Sequence, residues 1–338
     1  MPQFLSMIWP GRATSRGKLA DAARWHPLEI GFWVLALALL WLLPTRLLLL
    51  NEIAILALFA LSLDLILGYA GIVSLGHAAF FGLGAYIAGL LARHGMNDPI
   101  LGLLAAGAGA GLLGLLSSFL VLRGTDLTKL MVTLGVALIL RELANKFDAI
   151  TGGADGLTGV TMGPVLGLFE FDIFGSTAYL YSLSVLFVLF LVARQLVHSP
   201  FGLMLRAIKG NSLRTSAMGV PTNLRLVTIY TIAAAYAGIA GGLLAQTTQF
   251  VSLDVLDFHR SADVLLVLVL GGSGLLWGAI IGAVAFKLMY DWLAAITPQY
   301  WQFWVGMALV AIVLFGRGGL LGLAGMLRDR LRGLGGRA

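Results

Sequence analysis

HSPFGLMLRAIKGNSLRTSAMGVPTNLR, residues 198–225, separates two long apolar runs and is the longest polar interruption of helical design in the chain. Ser199 followed by Pro200 predicts a helix start: a side-chain oxygen able to cap free amides, then a proline in the first turn, where no donor is needed. Phe201, Leu205 and Ile208 recur at helical spacing on one face, while Arg206 and Lys209 occupy another. Gly210 and Asn211 break the run, a second short helix can follow from Ser212, and Gly219 with Pro221 ends it. A short basic amphipathic helix pair of this kind lies flat at a membrane face. The competing reading is a solvated connecting loop, which has no use for an apolar stripe.

Composition sets the surroundings of that stretch. With 59% hydrophobic and 11% charged residues and a mean hydropathy of +0.94, the chain has far more apolar surface than a water-soluble core can hide. The class is therefore an all-α polytopic membrane protein. The 44 glycines suit closely packed membrane helices. Cysteine is absent, which excludes disulfides and thiolate metal sites. The net charge of +6 sits beside apolar spans, where basic residues set orientation, and leaves no nucleic-acid footprint.

Read from the N-terminus, residues 1–29 form a basic tail bearing Arg12, Arg16, Lys18 and Arg24, without a secretory cleavage pattern. Apolar spans are expected at about 30–43, with Trp33 and Trp41 as interfacial anchors, and then at 47–67, 72–92, 100–122, 127–147, 178–196 and 226–248. In the third, Ser74, Ala78 and Gly82 recur every fourth residue, as do Ala85 and Gly89, giving a small-residue seam. Glu142 precedes Lys146 by four residues near the end of the fifth. Residues 262–293 are interrupted by Gly271, Gly272 and Gly274, which fits either a short crossing with a return crossing or a re-entrant hairpin. A last span over 301–315 leads to a basic tail at 317–338. This amounts to about eight to ten spans in a transmembrane domain of residues 30–316. The segments 148–177 and 249–260 carry acids and face out, whereas 197–225 and both tails face the cytoplasm. A weak echo between LGYAGIVSLGHAAFFGLGAYIAG and LGGSGLLWGAIIGAVAF leaves an internal inverted repeat open.

Enzymatic signatures are scarce. Gly17-Lys18 is the nearest approach to a phosphate loop, but Arg12 stands where its first glycine belongs and Leu19 follows the lysine. Among five histidines no two have metal-ligand spacing on one helix, and neither HExxH nor a nucleophile elbow occurs. No metal site is expected, and no cofactor in this chain. Asp64 and His77 are ionisable groups inside apolar spans and so are functional candidates. If the chain turns near Ala70, both lie about 10 Å along their helices from the turn, where they could face each other or bond separately to backbone.

NEIAILALFALSLDLILGYAGIVSLGHAAFFGLGAYIAGLL, TGGADGLTGV and SPFGLMLRAIKGNSLRTSAMGV, in that order, resemble the permease subunits of branched-chain amino acid ABC importers, most closely the LivM type. The resemblance covers about residues 51–317. It implies a bacterial inner-membrane permease working with a second, LivH-like permease, two cytoplasmic ATPase subunits that bind ATP and magnesium, and a periplasmic substrate-binding protein. It also implies that segment 197–225 couples to an ATPase through Pro200, Phe201, Gly202, Arg206, Ala207, Ile208, Lys209, Asn211 and Gly219. Asp64, Tyr69, Ser74, His77, Phe81 and Gly84 become candidates to line the path, and Gly271, Gly272 and Gly274 to act as a hinge. One departure stands out: the family's Arg-Ala-Ile usually continues with acidic residues, and here Lys209, Gly210 and Asn211 follow. Related permeases serve urea, amides or small carboxylates. Two further alternatives are a secondary transporter with Asp64 and His77 as a proton relay, and a receptor-like membrane subunit.

Overall fold

The computed structural model describes residues 27–124, 126–172, 174–296, 298–300, 303–307, 310 and 318–322. The chain builds α1 (Pro27–Leu42), α2 (Leu47–Asp64), α3 (Ala78–Arg93), α4 (Pro99–Val121), α5 (Asp126–Lys146), α6 (Asp148–Thr151) and α7 (Ser176–Val197). After these come α8 (Pro200–Gly210), α9 (Ser212–Ala217), α10 (Thr222–Thr248), α11 (Phe258–Gly271) and α12 (Leu276–Ile296). Among the described residues β-structure is limited to isolated bridges, such as Leu157 with Val251. Five helical stretches are long and apolar enough to cross a membrane, and α1 and α3 are shorter apolar helices. α5 and α11 also pack in the bundle, and the eight to ten spans expected from the sequence stand beside these five candidate crossings among the described residues.

The sequence starts these helices with side chains that take up free amides. Asp98 Oδ1 accepts from the Ile100 amide at 2.9 Å ahead of Pro99 at the start of α4, and Asn211 Oδ1 accepts from the Arg214 amide at 2.9 Å to start α9. The centre of the bundle is α10, packed against α2, α3 and α4. Its approach to α3 and α4 depends on small residues. Gly84 faces the backbone of Gly238, and Gly238 in turn faces Ala106 and Ala110 of α4. Polar ties cross the same layer: Tyr181 Oη donates to Gln246 Oε1 at 3.0 Å, and Gln246 Nε2 donates to the Pro99 carbonyl at 2.7 Å. Both partners of each bond are buried, where an unmet polar group is costly.

Several expectations shift. The first helix begins at Pro27, inside the tail read as 1–29, and Glu29 belongs to its first turn. Glu29 accepts from Trp277 Nε1 at 2.9 Å and pairs with Arg194, so its charge is met within the bundle. The Trp33 ring is half-buried and packs on the bundle, against Phe187, Phe190 and Trp277 with centroids 4.9, 5.5 and 6.0 Å away. Ser199 occupies the cap position of α8, but its hydroxyl donates back to the Leu196 carbonyl at 2.6 Å and caps nothing. Near the end of α5 it is Arg141 that forms an ion pair, with Asp257 at 3.6 Å. The third helix starts at Ala78 rather than near Ile72, which removes Ser74 from its seam. Residues 1–26 and 323–338, and all of 301–315 except 303–307 and 310, lie outside the described residues, so most of the two tails and of the last span falls there.

The glycine-interrupted segment resolves into two helices. α11 ends at Gly271, and the chain turns through Gly272 at φ 107° and Gly274 at φ 81°, backbone conformations that a side chain disfavours. α12 then returns alongside α11, with Gly271 and Gly282 in close backbone approach.

Candidate functional site

Helix α2 does not end as a regular α-helix. Leu65–Tyr69 forms one π turn, a local widening that recurs at functional sites, and residues 70–77 continue as buried irregular chain. Irregular backbone at membrane depth needs partners from the protein itself. Neighbouring helices supply them: the Leu75 amide donates to Thr133 Oγ1 of α5 at 3.3 Å, and the Ala78 amide donates to Ser261 Oγ of α11 at 2.9 Å. Gly76 passes so near the Thr133 carbonyl that any side chain would collide with it.

Asp64 and His77 do not meet across this break. The Ser62 hydroxyl proton goes to the Phe59 carbonyl at 2.6 Å, so the 2.8 Å contact between Ser62 Oγ and His77 Nε2 is a bond donated by the histidine. The imidazole stacks on Phe59 at 5.5 Å between centroids. Asp64 lies two residues beyond Ser62, turned to a different side of α2, and its Oδ1 accepts from the Gly274 amide at 2.7 Å. Gly68 and Gly274, which belong to the two echoing glycine stretches, are thus neighbours. Asp64→Asn keeps an acceptor for that amide, whereas Asp64→Leu strands it at a cost of about 1–3 kcal/mol. The asparagine variant is expected to melt with the parent and the leucine variant several degrees lower. Coincident melting curves for the two variants would show that the bond contributes nothing.

The amphipathic helix α8 joins this break from the side. Gly202, Leu205 and Ile208 are buried, Phe201 is half-buried, and Arg206, Ala207, Lys209 and Asn211 are exposed. From that exposed face Lys209 Nζ reaches inward to donate to the Gly68 carbonyl at 2.6 Å, and the Arg206 guanidinium lies 5.3 Å from the centre of the Tyr69 ring. Pro200 opens α8, Asn211 caps α9, and Gly219 turns the chain beyond it at φ 84°. Two cationic side chains of α8 therefore hold the π turn that leads to the irregular chain.

At the other end of α2 the bundle opens. Glu52 is sixteen residues before Gly68, about 24 Å along a helix. There a cavity of about 500 Å³ lies among α2, α3, α11, α12 and the end of α10. Its floor is apolar, with Phe59 and Phe81 4.6 Å apart between ring centres, and beneath Phe59 lies His77. Its mouth holds Glu52, Arg260, Asp263 and Lys287. Of the path candidates, Phe81 lines this cavity, while Asp64, Tyr69, Ser74 and His77 lie along the break. Gly84 packs on α10 instead. Sequence reasoning did not single out the four charged mouth residues. The available signal was that each interrupts or flanks an apolar span. Among the described residues no group of three or more His, Asp or Glu stands where it could hold a metal ion.

A membrane bundle with a broken helix, a buried irregular segment and an amphipathic helix seated against the break has the interrupted-helix construction found in membrane transporters. The chain belongs to the family of branched-chain amino acid transport system permease components, which it matches over residues 45–314. It is 30% identical over 294 residues to the high-affinity branched-chain amino acid transport system permease protein LivM of Escherichia coli (strain K12), covering 78% of this chain and 67% of that protein. It is 31% identical over 295 residues to LivM of Salmonella typhimurium (strain LT2), with the same coverage of each chain. No solved structure matches the chain.

Proposed function

We propose that this chain is the LivM-like half of an ATP-driven importer of branched-chain amino acids in the bacterial inner membrane. In that importer it works with a LivH-like permease, two ATPase subunits and a periplasmic binding protein. The observation that carries the reading is the seating of α8: a basic amphipathic helix with a buried Leu205–Ile208 stripe and two cations holding the π turn of α2. An ATPase pressing on the exposed face of α8 moves Gly68 and Tyr69 directly. Through Asp64 and Gly274 the same displacement reaches the α11–α12 turn. The motion thereby alternates access between the cavity and the opposite side. α5 offers exposed Leu127, Met131, Leu138 and Ile139 to lipid or to the second permease. A relay from Asp64 to His77 has no support in the geometry, because the two groups bond to different partners.

Reconstituted with its partners, the chain is expected to drive leucine uptake only when ATP is enclosed with the ATPases. Uptake driven by a pH gradient without ATP would overturn the reading. Orientation has its own test, made simple by the absence of native cysteine. Cysteines placed at Asp155 and Asp257 are expected to react in intact cells with a thiol reagent that cannot cross the membrane, and one at Asn211 is not. Labelling at 211 would reverse the assigned topology.

A further inference from the structure

The cavity at the mouth of α2 has a composition that selects among small molecules. Two acids and two bases surround its opening, so its formal charge is zero, and one side of it is wholly apolar through Ile55, Phe59, Phe81 and Phe286. Lys287 is already engaged, paired with Glu52 and lying 5.0 Å over the Tyr290 ring. Arg260 and Asp263, one helical turn apart on α11, have no ion-pair partner within 4.0 Å among the described residues. An unpaired cation and an unpaired anion side by side at the rim of an apolar hollow match a ligand with one charge of each sign and an aliphatic body. Its volume of about 500 Å³ falls within the roughly 300–1,000 Å³ of small-molecule sites. The second large cavity, about 520 Å³ between α4 and α7, is lined almost wholly by apolar side chains and offers no such pair.

Resting on the importer reading, we propose that this cavity is a substrate site of the permease itself, taking free α-amino acids with branched aliphatic side chains. Arg260 receives the carboxylate, with the two-pronged geometry that a guanidinium offers, and Asp263 receives the ammonium. Phe59 and Phe81 form the floor for the aliphatic side chain. An anionic substrate calls for an excess of bases here, and urea has no use for the apolar floor. The permease thus repeats a selection for the zwitterion and for its side chain, separately from any binding protein.

The test uses the purified whole complex in lipid nanodiscs without binding protein, with L-leucine as probe and ligand-observed saturation-transfer NMR as readout. Leucine methyl groups are expected to receive saturation, and valine to displace leucine. L-leucinamide, which lacks the carboxylate, and 4-methylpentanoate, which lacks the ammonium, are expected to compete at least about 10-fold more weakly. Arg260→Gln and Asp263→Asn are each expected to weaken leucine binding about 10-fold, with Arg260→Lys intermediate; particle size and melting temperature report whether each variant is assembled. Equal competition by leucinamide or 4-methylpentanoate, unchanged binding in assembled variants, or no saturable leucine signal would overturn the site. A wild-type complex that gives any of these results yet imports leucine with ATP loses only this site. One that imports no amino acid with ATP loses the importer reading.

Discussion

A proline at position 208 is expected to bring leucine uptake to background while leaving the membrane bundle assembled. Ile208 is buried in the last turns of α8, and proline there removes a helical donor and clashes with the preceding turn, at about 3 kcal/mol or more. The damage falls on a short helix of 11 residues that sits beside the bundle centre. It also displaces Arg206 and Lys209, the two side chains that reach Tyr69 and Gly68. ATP hydrolysis by the reconstituted complex is expected to lose its dependence on loaded binding protein. Arg206→Glu, which puts an anion over the Tyr69 ring, is expected to act in the same direction. Chemical cross-links from α8 that reach only permease chains, or Ile208→Pro uptake near the parent rate, would show that α8 merely packs.

Gly84→Leu is expected to remove most of the extractable folded protein. At Gly84 any side chain meets the Gly238 backbone, which cannot rotate away, and Gly238 is already wedged against α4. Overfilling a packed core costs about 1–3 kcal/mol where side chains can yield, and here the obstacle is main chain on both sides. Gly31→Leu provides the comparison, since no atom lies within 4 Å of a side chain added at Gly31 of α1. Equal yields and equal melting temperatures for the two variants would mean that α3 and α10 part without loss.

The membrane class and most helices were legible because hydropathy runs are long and the bilayer permits few backbone solutions. The α8 stripe was legible too, since Leu205 and Ile208 at helical spacing are the residues that end up buried. What could not be read was the end of α2. A simple turn near Ala70 assumes two regular helices, whereas the π turn and the irregular segment that follows reset the facing of both strands of the hairpin, sending His77 to Ser62 and Asp64 to Gly274. Partners such as Thr133 and Ser261 come from distant segments and leave no local mark in sequence. The charged cavity mouth was hidden for the same reason: Glu52 and Arg260 look like span-end charges, and Lys287 like a lone interruption of an apolar span, until α2, α11 and α12 are brought together. Ser199 shows the reverse error, a residue with the right chemistry for a cap whose hydroxyl finds a carbonyl first.

Four charges of this fold are held as two couples. Glu52 is tied to Lys287 and Glu29 to Arg194, each pair joining helices whose relative motion would otherwise carry a lone charge along the membrane normal. Moving one elementary charge through the full transmembrane voltage is worth about 2.3 kcal/mol per 100 mV, and a bound couple moving together cancels that work. A displacement that carries either couple as a unit therefore does no net work against the membrane voltage, so these four charges leave that part of the motion the same in a depolarised cell as in an energised one.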